Sequence, residues 1–240
     1  MPLSDATVLT ILAEGEMKVE GQFVWGSNFT LLARLHHPSG DLAAVYKPQR
    51  GERPLWDFPD GTLASREAAA WWTSERLGWR LVPPTVLRQD APLGPGSLQI
   101  YLDLDPDRHY FTFTPAEKDR LRPAALFDVL INNADRKGGH ILMARDGHVW
   151  LIDHGVCFHH EAKLRTVVWD FAGESIPADL TADVERFLRD LGADASARRT
   201  FEGLLAPEEV EALQRRGASI LETGVFPFPG EDRPYPWPLV

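Results

Sequence analysis

Two stretches constrain this chain more than any others: Asn132-Asn133-Ala134-Asp135-Arg136-Lys137-Gly138-Gly139-His140 and, shortly after, Leu151-Ile152-Asp153-His154-Gly155. Each aspartate closes a short apolar run, with basic and turn-forming residues around it. The run before Asp135 reads as a helix ending near Ile131. The run before Asp153 belongs to two short strands, Ile141 to Met143 and Val149 to Ile152, around an Asp146-Gly147 turn. A helix, a loop and a hairpin therefore carry two carboxylates. Asp135 has the chemistry to accept or orient the proton of a hydroxyl; the ordinary alternative is a helix-terminal turn. Asp153 suits hard oxygen ligation of a divalent cation, and Gly155 lets the chain turn sharply behind it.

The chain before this region alternates like an antiparallel sheet. Met17 to Val24, Asn28 to His36 and Leu42 to Tyr46 are strand segments, separated by turns at Gly26-Ser27-Asn28 and Pro38-Ser39-Gly40-Asp41. A turn-rich segment, Pro48 to Gly61, leads into a helix from about Thr62 to Leu77, stopped by Gly78. Thr85 to Leu87 and Ser97 to Leu102 are further strands, and Asp103 to His109 is a linker or hinge. Thr114-Pro115-Ala116-Glu117 is a capping box that opens a helix towards Ile131, perturbed by Pro123. Helices near Ala182 to Leu191 and Pro207 to Leu221 follow, then a Pro-rich strap or tail from Phe226. The expected fold is α+β: one domain of two lobes around a cleft, a small antiparallel sheet lobe over 1–102 and a helical lobe over 103–240.

Further candidate residues lie in the first half. Lys47 ends the third strand, in a chain with five lysines against twenty arginines. It can reach an anion in the cleft or simply snorkel from a strand edge. Glu67 lies on the helix that follows, as a partner for Lys47 or as an ordinary exposed glutamate. Gly26, Ser27 and Asn28 offer free backbone amides for an anion nest, or only a turn. Trp56 in the Gly51 to Gly61 loop can stack on a ring or pack the loop. Lys163 and Arg165 can receive an anionic substrate or line a solvated loop. The His154 to His160 segment has three histidines and a cysteine, but its spacing matches no common zinc pattern.

Asp135-Arg136 followed by Ile152-Asp153-His154-Gly155 resembles the D-R-x-x-x-N and I-D-x-G motifs of phosphatidylinositol 3- and 4-kinases and of the HipA-like kinases. Tyr46-Lys47-Pro48, the segment Gly51 to Pro59 and the whole Asn132 to His140 motif are similar, more closely, to a bacterial family related to the phosphatidylinositol 3-/4-kinases. That likeness covers roughly residues 15 to 175. It implies a two-lobed protein-kinase-like fold. It also implies roles: Lys47 for the phosphates, Glu67 for its ion pair, Asp135 as catalytic acid-base and Asp153 for Mg²⁺. One position departs from the pattern. Where the kinases carry a metal-binding asparagine this chain has His140, which as neutral imidazole can ligate Mn²⁺, contact a phosphate or pack.

Composition narrows the partners. The chain is 44% hydrophobic and 25% charged, as globular proteins are. A formal net charge of −10 argues against nucleic acid and against docking on anionic membranes. Cys157 is the single cysteine, which excludes an intrachain disulfide and a site built on several thiolates. The N-terminal residues do not read as a signal peptide, and no apolar run is long enough to span a bilayer, so the expectation is a cytoplasmic protein without a membrane anchor. The expected function is an ATP- and metal-dependent phosphotransferase acting on a hydroxyl of a soluble acceptor, a protein side chain or a small polyol. A nucleotide-binding pseudokinase and an AMP transferase on the same fold are the alternatives.

Overall fold

In the computed structural model, which describes residues 3–23 and 29–240, a helix precedes the sheet. This helix, α1 (Asp5–Glu14), was not expected from the sequence. Ser4 caps it by accepting the Thr7 N–H, and Val8, Ile11 and Leu12 bury one face. The sheet contains β1 (Glu16–Gln22), β2 (Leu31–His37), β3 (Gly40–Pro48), β4 (Thr85–Arg88) and β5 (Gly96–Ile100). Its order is β1-β2-β3-β5-β4, antiparallel throughout. The Gly26-Ser27-Asn28 turn lies outside the described residues.

Strand alternation decides where Lys47 goes. In β3, Leu42, Ala44 and Tyr46 point into a core shared with α1, Leu31, Ala33, Leu35 and Leu98. Ala43, Val45 and Lys47 therefore lie on the opposite face, because successive side chains in a strand alternate. Helix α2 (Leu63–Leu77) follows. Thr62 supplies no side-chain cap; Glu52, reaching from the preceding loop, accepts the Leu63 and Ala64 N–H groups at 3.3 and 2.9 Å. Gly78 ends the helix in the left-handed conformation, φ 78°.

The second half is helical. The Thr114–Glu117 capping box opens only a short helix, α3 (Pro115–Lys118); α4 (Arg122–Ile131) then starts afresh with Pro123 in its first turn. The expected continuous helix is thus split, since proline tolerates a first turn but not an interior. β6 (Ile141–Met143) and β7 (Val149–Leu151) form the short hairpin. α5 (Ala178–Ala193), α6 (Ala195–Glu202) and α7 (Pro207–Thr223) complete the lobe. α6 was not anticipated; Asp194 breaks the helical run and caps α6 through the Ser196 N–H at 2.8 Å. A second, larger core joins α4, the hairpin and α5 to α7, and includes Ala69, Ala70 and Leu77 of α2. Beyond α7 the chain is tied down as a strap: Thr166 N–H donates to Pro234 O and Gly138 N–H to Leu239 O, at 3.1 and 2.7 Å. Among the described residues no helix is long and apolar enough to cross a membrane.

Candidate active site

The site lies where β3, α2 and the segment after β7 meet. Lys47 Nζ donates to Glu67 Oε1 and, at 3.0 Å, to Asp153 Oδ1. Burial opposes the ammonium charge, but the two carboxylates outweigh it and raise the lysine pKa. The Lys47 ammonium in turn holds the Asp153 carboxyl far below the usual carboxylate range. Asp153 is a non-glycine residue at φ 61°, an uncommon conformation that aims its carboxylate back towards the sheet lobe. Glu67 does a second job: its Oε2 accepts the His154 N–H at 2.9 Å. One buried glutamate thus fixes both the lysine and the backbone next to Asp153.

His140 faces the same carboxylate, with Nε2 3.4 Å from Asp153 Oδ2. Burial, only partly offset by Asp153, pushes its pKa down to about 4, so the ring is neutral at pH 7. His140 Nδ1 accepts a long hydrogen bond, 3.4 Å, from the Lys137 N–H. That leaves the proton on Nε2, which donates towards Asp153. In this tautomer His140 is a donor; binding a cation through Nε2 requires the proton to move to Nδ1.

Asp135 stands on the loop after α4. Its N–H donates to Asn133 Oδ1 at 2.9 Å, and its carboxylate pairs with Lys137 Nζ at 3.2 Å. Burial raises its pKa against the pull of Lys137, which makes it a better proton acceptor than a free aspartate. Lys137 is therefore a second cation at the site, and sequence reasoning did not assign it a role.

Beneath the loop lies a fully buried pair that was also missed. Arg136 Nε donates to Asp128 Oδ1 and Oδ2 at 3.0 and 3.2 Å. Asp128 also accepts from Asn133 Nδ2 and Thr166 Oγ1, at 3.1 and 3.0 Å. Arg136 goes on to Ile152 O at 2.8 Å and His154 Nε2 at 2.8 Å. Arginine only donates, so His154 Nε2 accepts and its proton sits on Nδ1. Burial, with Arg136 and Lys47 nearby, keeps that ring neutral. The pair therefore links α4, the Asp135 loop and the Asp153 segment. The available signal was Asp128 itself, one carboxylate inside the apolar run Leu126-Phe127-Asp128-Val129-Leu130.

Other candidates go elsewhere. Lys163 is not free to receive an anion: it pairs with Asp57 at 3.0 Å and Glu161 at 3.5 Å and lies over the Trp56 ring. Trp56 is itself 92% exposed. His154, Cys157 and His159 do not converge; among the described residues no three His, Cys, Asp or Glu side chains cluster as a metal site. A cavity of about 610 Å³ is lined by the 103–108 linker, Glu117, Arg120 and the β6–β7 turn. None of Lys47, Glu67, Asp135 or Asp153 lines it.

Comparison with known proteins gives the family and the fold. Residues 94–206 match the family model "Phosphatidylinositol 3- and 4-kinase". Protein Rv2133c of Mycobacterium tuberculosis is 42% identical over 95% of this chain and 94% of its own length. Phosphatidylinositol 4-kinase gamma 4 of Arabidopsis thaliana is 28% identical over 63% of this chain, but only 29% of that protein is covered. Among solved structures, hydra Fam20 with sugar superposes at TM-score 0.59 and 17% identity, covering 90% of this chain and 87% of that one. The Golgi casein kinase with Mn/ADP bound also gives 0.59 and 17%, covering 98% and 80%. These two likenesses establish the two-lobed protein-kinase-like fold.

Proposed function

The chain belongs with Protein Rv2133c in a family related to the phosphatidylinositol 3- and 4-kinases, and from that premise we propose that it is a cytoplasmic phosphotransferase. It takes ATP and a divalent metal, and its acceptor is a hydroxyl of a soluble molecule, a protein side chain or a small polyol. The observation that carries this reading is the meeting of Lys47, Glu67, Asp153 and His140 at one point, with Asp135 on the adjoining loop. Lys47, aligned by Glu67, binds phosphate oxygens. Asp135 orients the acceptor hydroxyl and takes up its proton, and Lys137 offsets the negative charge gathered there. The buried Asp128–Arg136 pair holds this loop against the Asp153 segment.

The donor set fits a hard cation. Asp153 is an ionised, 46% exposed carboxylate, and Mg²⁺ typically takes one or two protein carboxylates plus phosphate oxygens and water. Asp153 would hold such a cation, which would supply charge neutralisation on the transferring phosphate. His140 is secondary: it serves as a donor to phosphate in its present tautomer, or as a ligand, better for Mn²⁺, after the proton moves.

The test is to incubate the protein with ATP and Mg²⁺ or Mn²⁺, alone and with polyol and protein panels, and to weigh the products. A phosphate adduct supports the reading. An AMP adduct means nucleotidyl transfer instead, and nucleotide binding without any adduct or hydrolysis means a regulator.

A further inference from the structure

The turn of α2 that carries Glu67 is bolted to the helical lobe. Arg66, 1% exposed, pairs with Glu209 of α7 at 2.6 Å. Its Nη1 donates to Cys157 O at 2.7 Å, its Nε to Thr62 Oγ1 at 3.3 Å, and its guanidinium covers the Phe58 ring. Glu209 is itself fixed, since its Oε2 accepts the Ala206 N–H at 3.1 Å as part of the α7 cap. Packing repeats the message. A Cβ on Gly155 would come within 3.3 Å of Leu63 Cβ, so α2 rests directly on the chain beside Asp153. Leu63 also shares a small core with Phe58 and Ala134, the residue before Asp135. The 157–163 segment is anchored as well: Asn132 Nδ2 donates to His159 O and Glu161 O, and Asn132 Oδ1 accepts the Lys163 N–H.

Resting on the function proposed above, we propose that Arg66 and Glu209 are positioning residues. They hold α2 so that Glu67 stays on Lys47 at all times, and the phosphate-binding lysine is assembled without a helix movement or a covalent modification. The physical reason is the cost of release. Swinging Glu67 away would expose or strand a buried guanidinium and its carboxylate, and an unpaired buried charge is strongly unfavourable.

The test is a double-mutant cycle between Arg66→Met and Glu67→Gln, read in two ways. The first readout is the rate at which acetic anhydride modifies Lys47, quantified by mass spectrometry; it needs no nucleotide. The second is binding of a fluorescent ATP analogue with Mg²⁺. If Arg66 acts through Glu67, each single variant speeds Lys47 modification by roughly tenfold, the scale of one charge-assisted hydrogen bond. The double variant is then no worse than Glu67→Gln alone. Additive effects in the cycle, or wild-type Lys47 reactivity in Arg66→Met, overturn the proposal. Glu209→Gln, which keeps the shape of the partner, takes the place of Arg66→Met if that variant does not fold. A wild type that binds no nucleotide sinks the phosphotransferase reading, while the modification cycle still decides the clamp.

Discussion

Asp128→Ala removes the acceptor at the centre of the buried network under the Asp135 loop. It leaves Arg136, fully buried, with the Ile152 carbonyl and His154 as its close partners and no counter-charge. Asn133 Nδ2 and Thr166 Oγ1 lose acceptors as well. Removing one member of a buried ion pair costs about 3–5 kcal/mol, and this site lies at the upper end because two neutral donors are stranded too. Domains of this kind are stable by about 5–15 kcal/mol, so the variant should fold but with a large part of its stability gone. Urea denaturation at pH 7 reads the difference directly. Asp128→Leu/Arg136→Met, which removes both charges and refills the space, should recover most of the loss, because the pair itself contributes little net stability. Its catalytic activity should not recover, since the Asp135 loop is then no longer tied to Ile152 and His154. A loss below about 1 kcal/mol in Asp128→Ala would mean that water reaches Arg136 and that the network does not organise the loop.

Lys47→Ala should weaken ATP binding by roughly tenfold or more in calorimetry, by removal of a charge-assisted contact; unchanged affinity would remove Lys47 from the site. His140→Asn should keep Mg²⁺-dependent activity, measured as ATP turnover, because asparagine offers both a donor and an oxygen ligand; total loss would give the imidazole a role of its own. His140 also predicts a pH effect. Its folded pKa of about 4 lies below the unfolded value of about 6.5, so the unfolded chain binds more protons between these values and stability falls as pH drops through that window. The contribution is about 3 kcal/mol between pH 7 and pH 4, and urea titrations of His140→Asn should show a shallower pH slope than wild type.

The placement of the site was more legible than its support. Lys47 could be read because it is one of five lysines and ends an apolar strand, and Asp135 and Asp153 because each ends an apolar run at a turn. The strand segments were legible from alternation between turn signals, but their order in the sheet was not: β5 lies between β3 and β4, and that long-range pairing leaves no local signal. α1 carried its signal in Ser4, Val8, Ile11 and Leu12, but the run is short and precedes a stronger strand pattern. The helix through Pro123 was overextended because the capping box at Thr114 was weighed more heavily than the proline. Lys163 looked available because its partner Asp57 lies on a distant loop. Arg66 and Glu209 share that difficulty: a buried pair joining α2 to α7 leaves no local periodicity, only two charges on otherwise ordinary helices. Asp128 was missed too, although it carried a local signal: a carboxylate inside an apolar helix needs a partner when buried.

Nucleotide binding and turnover measured side by side for Asp135→Ala test the central claim most directly. The variant keeps Lys47, Glu67 and Asp153, so it should bind ATP with Mg²⁺ about as tightly as wild type. Its ATP hydrolysis or autophosphorylation, followed by mass spectrometry, should fall by roughly a hundredfold or more, because the carboxylate acts mainly in the transition state. Equal turnover in the two proteins would contradict the assignment of Asp135, and a wild type without measurable transfer or hydrolysis would contradict the phosphotransferase itself.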